Sequence, residues 1–156
     1  MRGEAHAHPR NGRRCTLTSS RPGDPESTTA AAPARTTTRI LVAEDEHELA
    51  SLVRALLEDL GYEATLVEDG QAALDAIAQE RPSLLITDLA MPRMSGEELI
   101  AQLQQTEHRD LPIIVLSARP DAATRIAPFP GVRLLMKPFD IDEFEALVMR
   151  SLPPAL

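Results

Sequence analysis

Four polar side chains stand where apolar runs end, and their types suit chemistry on a phosphoryl group. Asp88 closes Leu84-Leu85-Ile86-Thr87-Asp88 and opens into the turn-rich Leu89-Ala90-Met91-Pro92-Arg93-Met94-Ser95-Gly96. In the same way Ile40-Leu41-Val42-Ala43 runs into Glu44-Asp45-Glu46, Ile113-Ile114-Val115-Leu116 into Ser117, and Leu134-Leu135-Met136 into Lys137-Pro138. Brought together, Glu44, Asp45 and Asp88 would crowd about three negative charges into one concave space, where like charges raise one another's pKa or demand a cation. Oxygen-only ligands suit a hard ion, Mg2+ ahead of Zn2+. Lys137 adds a mobile point charge, Ser117 a hydroxyl, and the loop after Asp88 free backbone N–H groups. Such a set would stabilise an incoming phosphoryl group while a carboxylate attacks it. The plainer alternative is a salt-bridged acidic patch that only absorbs charge.

Those residues meet only if the runs are strands of one parallel sheet. Between them, apolar residues recur at helical spacing. Leu49, Leu52, Val53, Leu56 and Leu60 mark a first helix closed by Gly61. Glu63 to Glu68 reads as a second strand, and Ala73, Leu74 and Ile77 as a second helix stopped before Pro82. Leu99, Ile100 and Leu103 belong to a third helix over 97–106. Residues 121–127 allow only a short fourth helix, because Pro128 and Pro130 forbid its continuation. After a fifth strand over 132–136, Asp140 and Glu143 form a capping-box-like start for a last helix burying Phe144, Leu147 and Val148. Strict alternation of strand and helix predicts an α/β doubly wound sheet covered on both faces. Sites in such sheets lie outside the carboxyl ends of the strands, where all four polar residues fall.

Composition narrows the function further. At 156 residues the chain suits one domain with a real core. Aromatic side chains make up 3%, with no Trp, which disfavours recognition of nucleic acid by base stacking. Residues 1–38 carry six arginines against three acids and hold Leu17 as their only large aliphatic after Met1, so a disordered tail is expected there. The other 118 residues carry ten basic and 21 acidic side chains. A body that acidic would repel phosphate backbones and anionic lipid, so neither direct DNA binding nor membrane association is expected. A single cysteine, Cys15, and no apolar stretch of about 20 residues fit a cytoplasmic location. His6 and His8 on the tail, and His47 and His108 beside charged residues at helix ends, read as solvated. Met91 and Met94 read as loop packing.

In their order the motifs resemble the receiver domain of bacterial two-component response regulators. They are Leu41-Val42-Ala43-Glu44-Asp45-Glu46, Thr87-Asp88-Leu89-Ala90-Met91-Pro92 through Gly96, Val115-Leu116-Ser117-Ala118 and Met136-Lys137-Pro138-Phe139. Successive key residues, Asp45, Asp88, Ser117 and Lys137, are 43, 29 and 20 positions apart. The resemblance implies a flavodoxin-like five-stranded sheet in the order 2-1-3-4-5, with five helices, over 39–153. It implies that Asp88 is the phosphoacceptor, taking its phosphoryl group from a sensor histidine kinase or phosphotransfer protein. Asp45, Asp88 and the backbone carbonyl of Ala90 would bind Mg2+ directly, and Glu44 through a water. Lys137 and Ser117 would contact phosphoryl oxygens, and the Lys137-Pro138 bond would be cis. Residues 154–156 leave no room for an output module, so signalling to an unidentified protein target is expected, as a stand-alone regulator or phosphorelay intermediate.

The chain departs from the family pattern at Leu134, at Ala90 and Arg119, and in the slightly short segment between Ser117 and Lys137, interrupted by Pro120, Pro128 and Pro130. Leu134 stands where an aromatic is usual, and an aliphatic side chain cannot make the aromatic's swing that reports phosphorylation on the fifth strand. Ala90 offers no side chain to orient a water and Arg119 could screen the phosphoryl group, so slow self-dephosphorylation is expected. Rival readings are a pseudo-receiver that is never phosphorylated, a haloacid dehalogenase-type hydrolase, and a nucleotide-binding domain. The hydrolase would want an acid at Ala90, and the nucleotide site a glycine-rich turn where Glu44-Asp45-Glu46 stands.

Overall fold

The computed structural model describes residues 37–152. The expected tail at 1–38 and end at 154–156, with His6, His8 and Cys15, fall almost wholly outside them. Five strands and five helices alternate: β1 (Arg39–Ala43), α1 (His47–Asp59), β2 (Glu63–Val67), α2 (Gly70–Gln79), β3 (Leu84–Asp88), α3 (Gly96–Gln104), β4 (Ile113–Ser117), α4 (Ala122–Ile126), β5 (Val132–Met136) and α5 (Ile141–Ser151). All strand pairs are parallel, in the order β2-β1-β3-β4-β5. This is the flavodoxin-like arrangement that the alternation and the resemblance predict.

The pleat divides the core. Along β1, Leu41 and Ala43 face α2, α3 and α4, packing with Ala73, Ile77, Leu99, Ile100, Leu103 and Ile126. Ile40 and Val42 point the other way, toward Val53, Leu57, Phe144 and Val148 of α1 and α5. A strand buried on both faces reads as a continuous apolar run, which is why β1, β3 and β4 are visible in the sequence. Among the described residues no helix is long and apolar enough to cross a membrane.

Three expectations are corrected. Leu52 was placed on the buried face of α1 but is 48% exposed, while Ala50 and Leu57 are buried. The buried stripe of Ala50, Val53, Leu56 and Leu57 centres near Val53, and Leu52 lies about a third of a turn from that centre. Asp140 precedes α5 but makes no side-chain cap bond. The capping box is instead at α3, where the Ser95 hydroxyl accepts from Glu98 N–H and the Glu98 carboxylate accepts from Ser95 N–H. Such a cap stabilises a helix by about 1 kcal/mol. Finally, His108 is not solvated: its side chain is 16% exposed, with Nδ1 buried and unpaired, in the turn that folds back beside Leu103. His47 is solvated, as expected, at 81% exposure.

Two carboxylates outside the strand ends carry much of the polar framework. Asp69 caps α2 through Ala72 N–H at 2.8 Å and pairs with Arg93, and these contacts, in that order, hold its carboxyl below the usual carboxylate range. Asp121 is depressed likewise by Arg119 and Arg125, and Arg125 also reaches Glu97 at 2.8 Å. A carboxyl lowered by folding stabilises the native state above its unfolded pKa, and that stabilisation fades as pH falls through the folded value. The urea midpoint should therefore drop below about pH 4, and drop less steeply in Asp69→Asn and Asp121→Asn. Parallel pH profiles for wild type and variants would contradict this assignment.

Candidate functional site

The carboxyl ends of β1, β3, β4 and β5 converge as the sequence requires. Glu44 continues the ladder of β1, its N–H donating to Val67 carbonyl at 3.0 Å, and is buried at 3% exposure. Asp45 follows and is exposed. Asp88 is the last residue of β3, paired in register with Leu116. One carboxylate oxygen from each of Glu44, Asp45 and Asp88 lies within 4.8 Å of the others. Ser117 ends β4 fully buried, its Oγ accepting from Arg119 N–H at 3.1 Å. Lys137 N–H donates to Ser117 carbonyl at 2.9 Å, which extends the β4–β5 ladder by one residue, and the Lys137-Pro138 bond is cis.

Lys137 is the hub. Its Nζ lies 3.0 Å from Asp88 Oδ2 and 3.1 Å from Glu44 Oε2. Burial alone would lower the lysine pKa, but the hydrogen bond and charge of Asp88, joined by those of Glu44, outweigh it and leave it raised. Glu44 is pushed above the ordinary carboxylate range, chiefly by burial, with Asp88 adding to the rise and Glu46 N–H and Lys137 opposing it. A carboxyl raised by folding contributes stability at low pH that is lost as pH climbs, so ionised Glu44 is a cost at neutral pH. A divalent cation would offset that cost. The donor set, three carboxylates with no nitrogen or sulfur, fits a hard ion such as Mg2+.

The loop after Asp88 is tied to the site by backbone hydrogen bonds. Ala90 N–H donates to Asp88 Oδ1 at 3.2 Å, and Gly96 N–H donates to Leu89 carbonyl at 2.9 Å. Thr87, wholly buried, donates its hydroxyl to Asp88 carbonyl at 2.9 Å and touches Met91 sulfur. Met91 and Met94 pack against the core, as expected of loop packing. The Arg119 guanidinium pairs with Asp121, Nε donating to Oδ1 at 3.0 Å.

Residues 40–149 match the family model for the response regulator receiver domain. The chain belongs to the receiver domain family. It is 39% identical over 121 residues to response regulator MprA of Mycolicibacterium vanbaalenii, covering 74% of this chain and 52% of that protein. MprA of Mycobacterium tuberculosis is 40% identical over the same length. The chain thus spans about half the length of the curated relatives it matches. Among solved structures, chemotaxis response regulator CheY4 of Vibrio cholerae superposes with a TM-score of 0.69 at 26% identity, covering 75% of this chain and all of that one. The signal receiver domain of a histidine kinase from Syntrophus aciditrophicus gives 0.69 at 28% identity, over 74% of this chain and 90% of that one.

The carboxyl edge of the sheet brings together Glu44, Asp45, Asp88 and Lys137, with Ala90 and Ser117 beside them. Sequence reasoning missed Thr87, Asp69, Arg93 and Gly96. Ser95-x-x-Glu98 carried a legible signal for the start of α3, as the capping-box pattern, and so for the turn that contains Gly96.

Proposed function

We propose that Asp88 accepts a phosphoryl group from the phosphohistidine of a sensor kinase or phosphotransfer protein, and that the phosphorylated receiver signals by binding a protein target. The observation that carries this reading is Lys137 Nζ, within 3.1 Å of both Asp88 and Glu44 at the carboxyl edge of the sheet. An Asp88 carboxylate oxygen forms the new P–O bond as the P–N bond of the donor breaks, and the electron pair leaves with the imidazole. Lys137 would neutralise a phosphoryl oxygen, and the Ser117 hydroxyl would donate to another once it turns from Arg119 N–H. Asp45, Asp88 and the Ala90 carbonyl would hold Mg2+, with Glu44 acting through a water; bound there, the ion would offset the negative charge of donor and acceptor as they approach. The receiver is a signalling domain and acts on no separate substrate, so p-nitrophenyl phosphate should not turn over.

Acetyl phosphate with Mg2+ should add one phosphoryl group to the intact mass, and EDTA should prevent the gain. No gain under either condition would overturn the proposal in favour of a pseudo-receiver. Hydrolysis of the product should be slow, because Ala90 orients no water. Release of phosphate with a half-life of seconds would contradict this, and with Arg119 held by Asp121, Arg119→Ala should change the rate little.

A further inference from the structure

Asp69 and Arg93 have no part in the transfer chemistry, yet both are built into the connection that carries it. Arg93 has φ +63°, a left-handed backbone that costs an L-residue about 1 kcal/mol. Its Nε lies 2.7 Å from Asp69 Oδ2, and its Nη2 reaches the same oxygen, across 24 positions of sequence. The Asp69 side chain is 7% exposed, and its other oxygen accepts from Ala72 N–H in the first turn of α2. Beside the pair, Gly70 N–H donates to Met94 carbonyl at 3.3 Å, and a methyl group at Gly70 would lie 2.8 Å from the Met94 side chain. Residues 93 and 94 are therefore pinned to the start of α2 by several separate contacts. Three positions before Arg93 stands Ala90, whose N–H holds Asp88 Oδ1; three positions after it stands Gly96, seated against the Asp88 carbonyl.

We propose that Arg93 and Asp69 are a positioning pair for the acceptor loop. By holding Arg93 in its left-handed conformation against α2, the pair sets where the Ala90 carbonyl sits relative to Asp88. Metal affinity then depends on two side chains that never touch the metal, as supporting contacts around metal ligands generally do. The inference rests on the Mg2+ site described under Proposed function.

The test is an amide chemical-shift titration with MgCl2, with thermal midpoints recorded for each protein. Arg93→Gly suits the positive φ while removing the guanidinium together with its aliphatic stem, and Asp69→Asn keeps an oxygen to accept from Ala72 N–H. Each should raise the Mg2+ Kd about tenfold. The double variant should be no weaker than the single ones, because one interaction is lost in all three, and Arg93→Lys should recover part of the affinity. Kd values within about twofold of wild type in both single variants, or losses that multiply in the double, would overturn the proposal. A wild type that binds Mg2+ yet takes no phosphoryl group from acetyl phosphate would defeat the functional reading while the Kd comparison still decides the clamp. A wild type that binds no Mg2+ would defeat both.

Discussion

Lys137→Met should slow phosphorylation by acetyl phosphate on the order of 10²-fold while tightening Mg2+ binding. The opposite signs follow from one geometry. Nζ lies 3.0 Å from Asp88 and 3.1 Å from Glu44, so its charge already neutralises carboxylates that a metal ion would otherwise neutralise. Methionine keeps the stem and its packing but removes the charge, which leaves those oxygens free for Mg2+ and the buried Glu44 uncompensated without it. The phosphoryl group, in contrast, loses the cation that would meet its developing charge. Rates from intact mass against time, and Kd from Mg2+ titration, separate the two effects. A variant that loses both affinity and rate together would show that Lys137 organises the carboxylates rather than opposing the metal.

Gly96→Ala should be the most destabilising small change near the site, at about 3 kcal/mol or more. A Cβ there would lie 2.0 Å from the Asp88 carbonyl oxygen and 2.9 Å from its carbon. Both atoms are backbone, so no rotamer change relieves the overlap; either α3 backs away or the end of β3 shifts, carrying the acceptor with it. Gly61→Ala is the informative control. Gly61 has φ +88° with nothing within 4 Å of the added atom, so only the backbone preference is lost, about 1 kcal/mol. Urea unfolding should rank the two accordingly, and phosphorylation should fail in Gly96→Ala alone. Equal stabilities would show that the contact between α3 and β3 yields easily.

How far the molecule was legible depended on whether each feature was local. β1, β3 and β4 are buried on both faces, so their apolar runs announced them and the polar residue after each run marked the site. Lys137 and Asp88 are 49 positions apart and still foreseeable, because parallel strands of equal length bring their ends to one edge. Leu52 was misplaced because its spacing of three from Leu49 continues the stripe on paper, whereas packing on the sheet selects Ala50, Val53, Leu56 and Leu57. The Asp69–Arg93 pair had no local sign: an aspartate before a helix reads as a cap, and nothing in the loop told that its other oxygen would bind an arginine. His108 was hidden for the same reason, since charged neighbours suggested water while the turn after α3 folded it inward.

Leu134 bears on output rather than on the acceptor. In β5 it pairs with Val115 of β4 and packs, half-buried, against the core that includes Leu85 and Ile113. A leucine carries no polar atom that could hydrogen-bond in a second position, so under the proposed function the signal would leave through the loop between β4 and α4. That loop is tied to the site by the bond from Arg119 N–H to Ser117 Oγ, and onward to α3 by Asp121, Arg125 and Glu97.

The most direct measurement is the intact mass of wild type and Asp88→Asn, side by side, after acetyl phosphate and Mg2+. Phosphorylation at Asp88 predicts a gain of one phosphoryl group in the wild type and none in the variant, with both proteins equally folded by circular dichroism. An equal gain in both would place the phosphoryl group on another residue and contradict the assignment of Asp88.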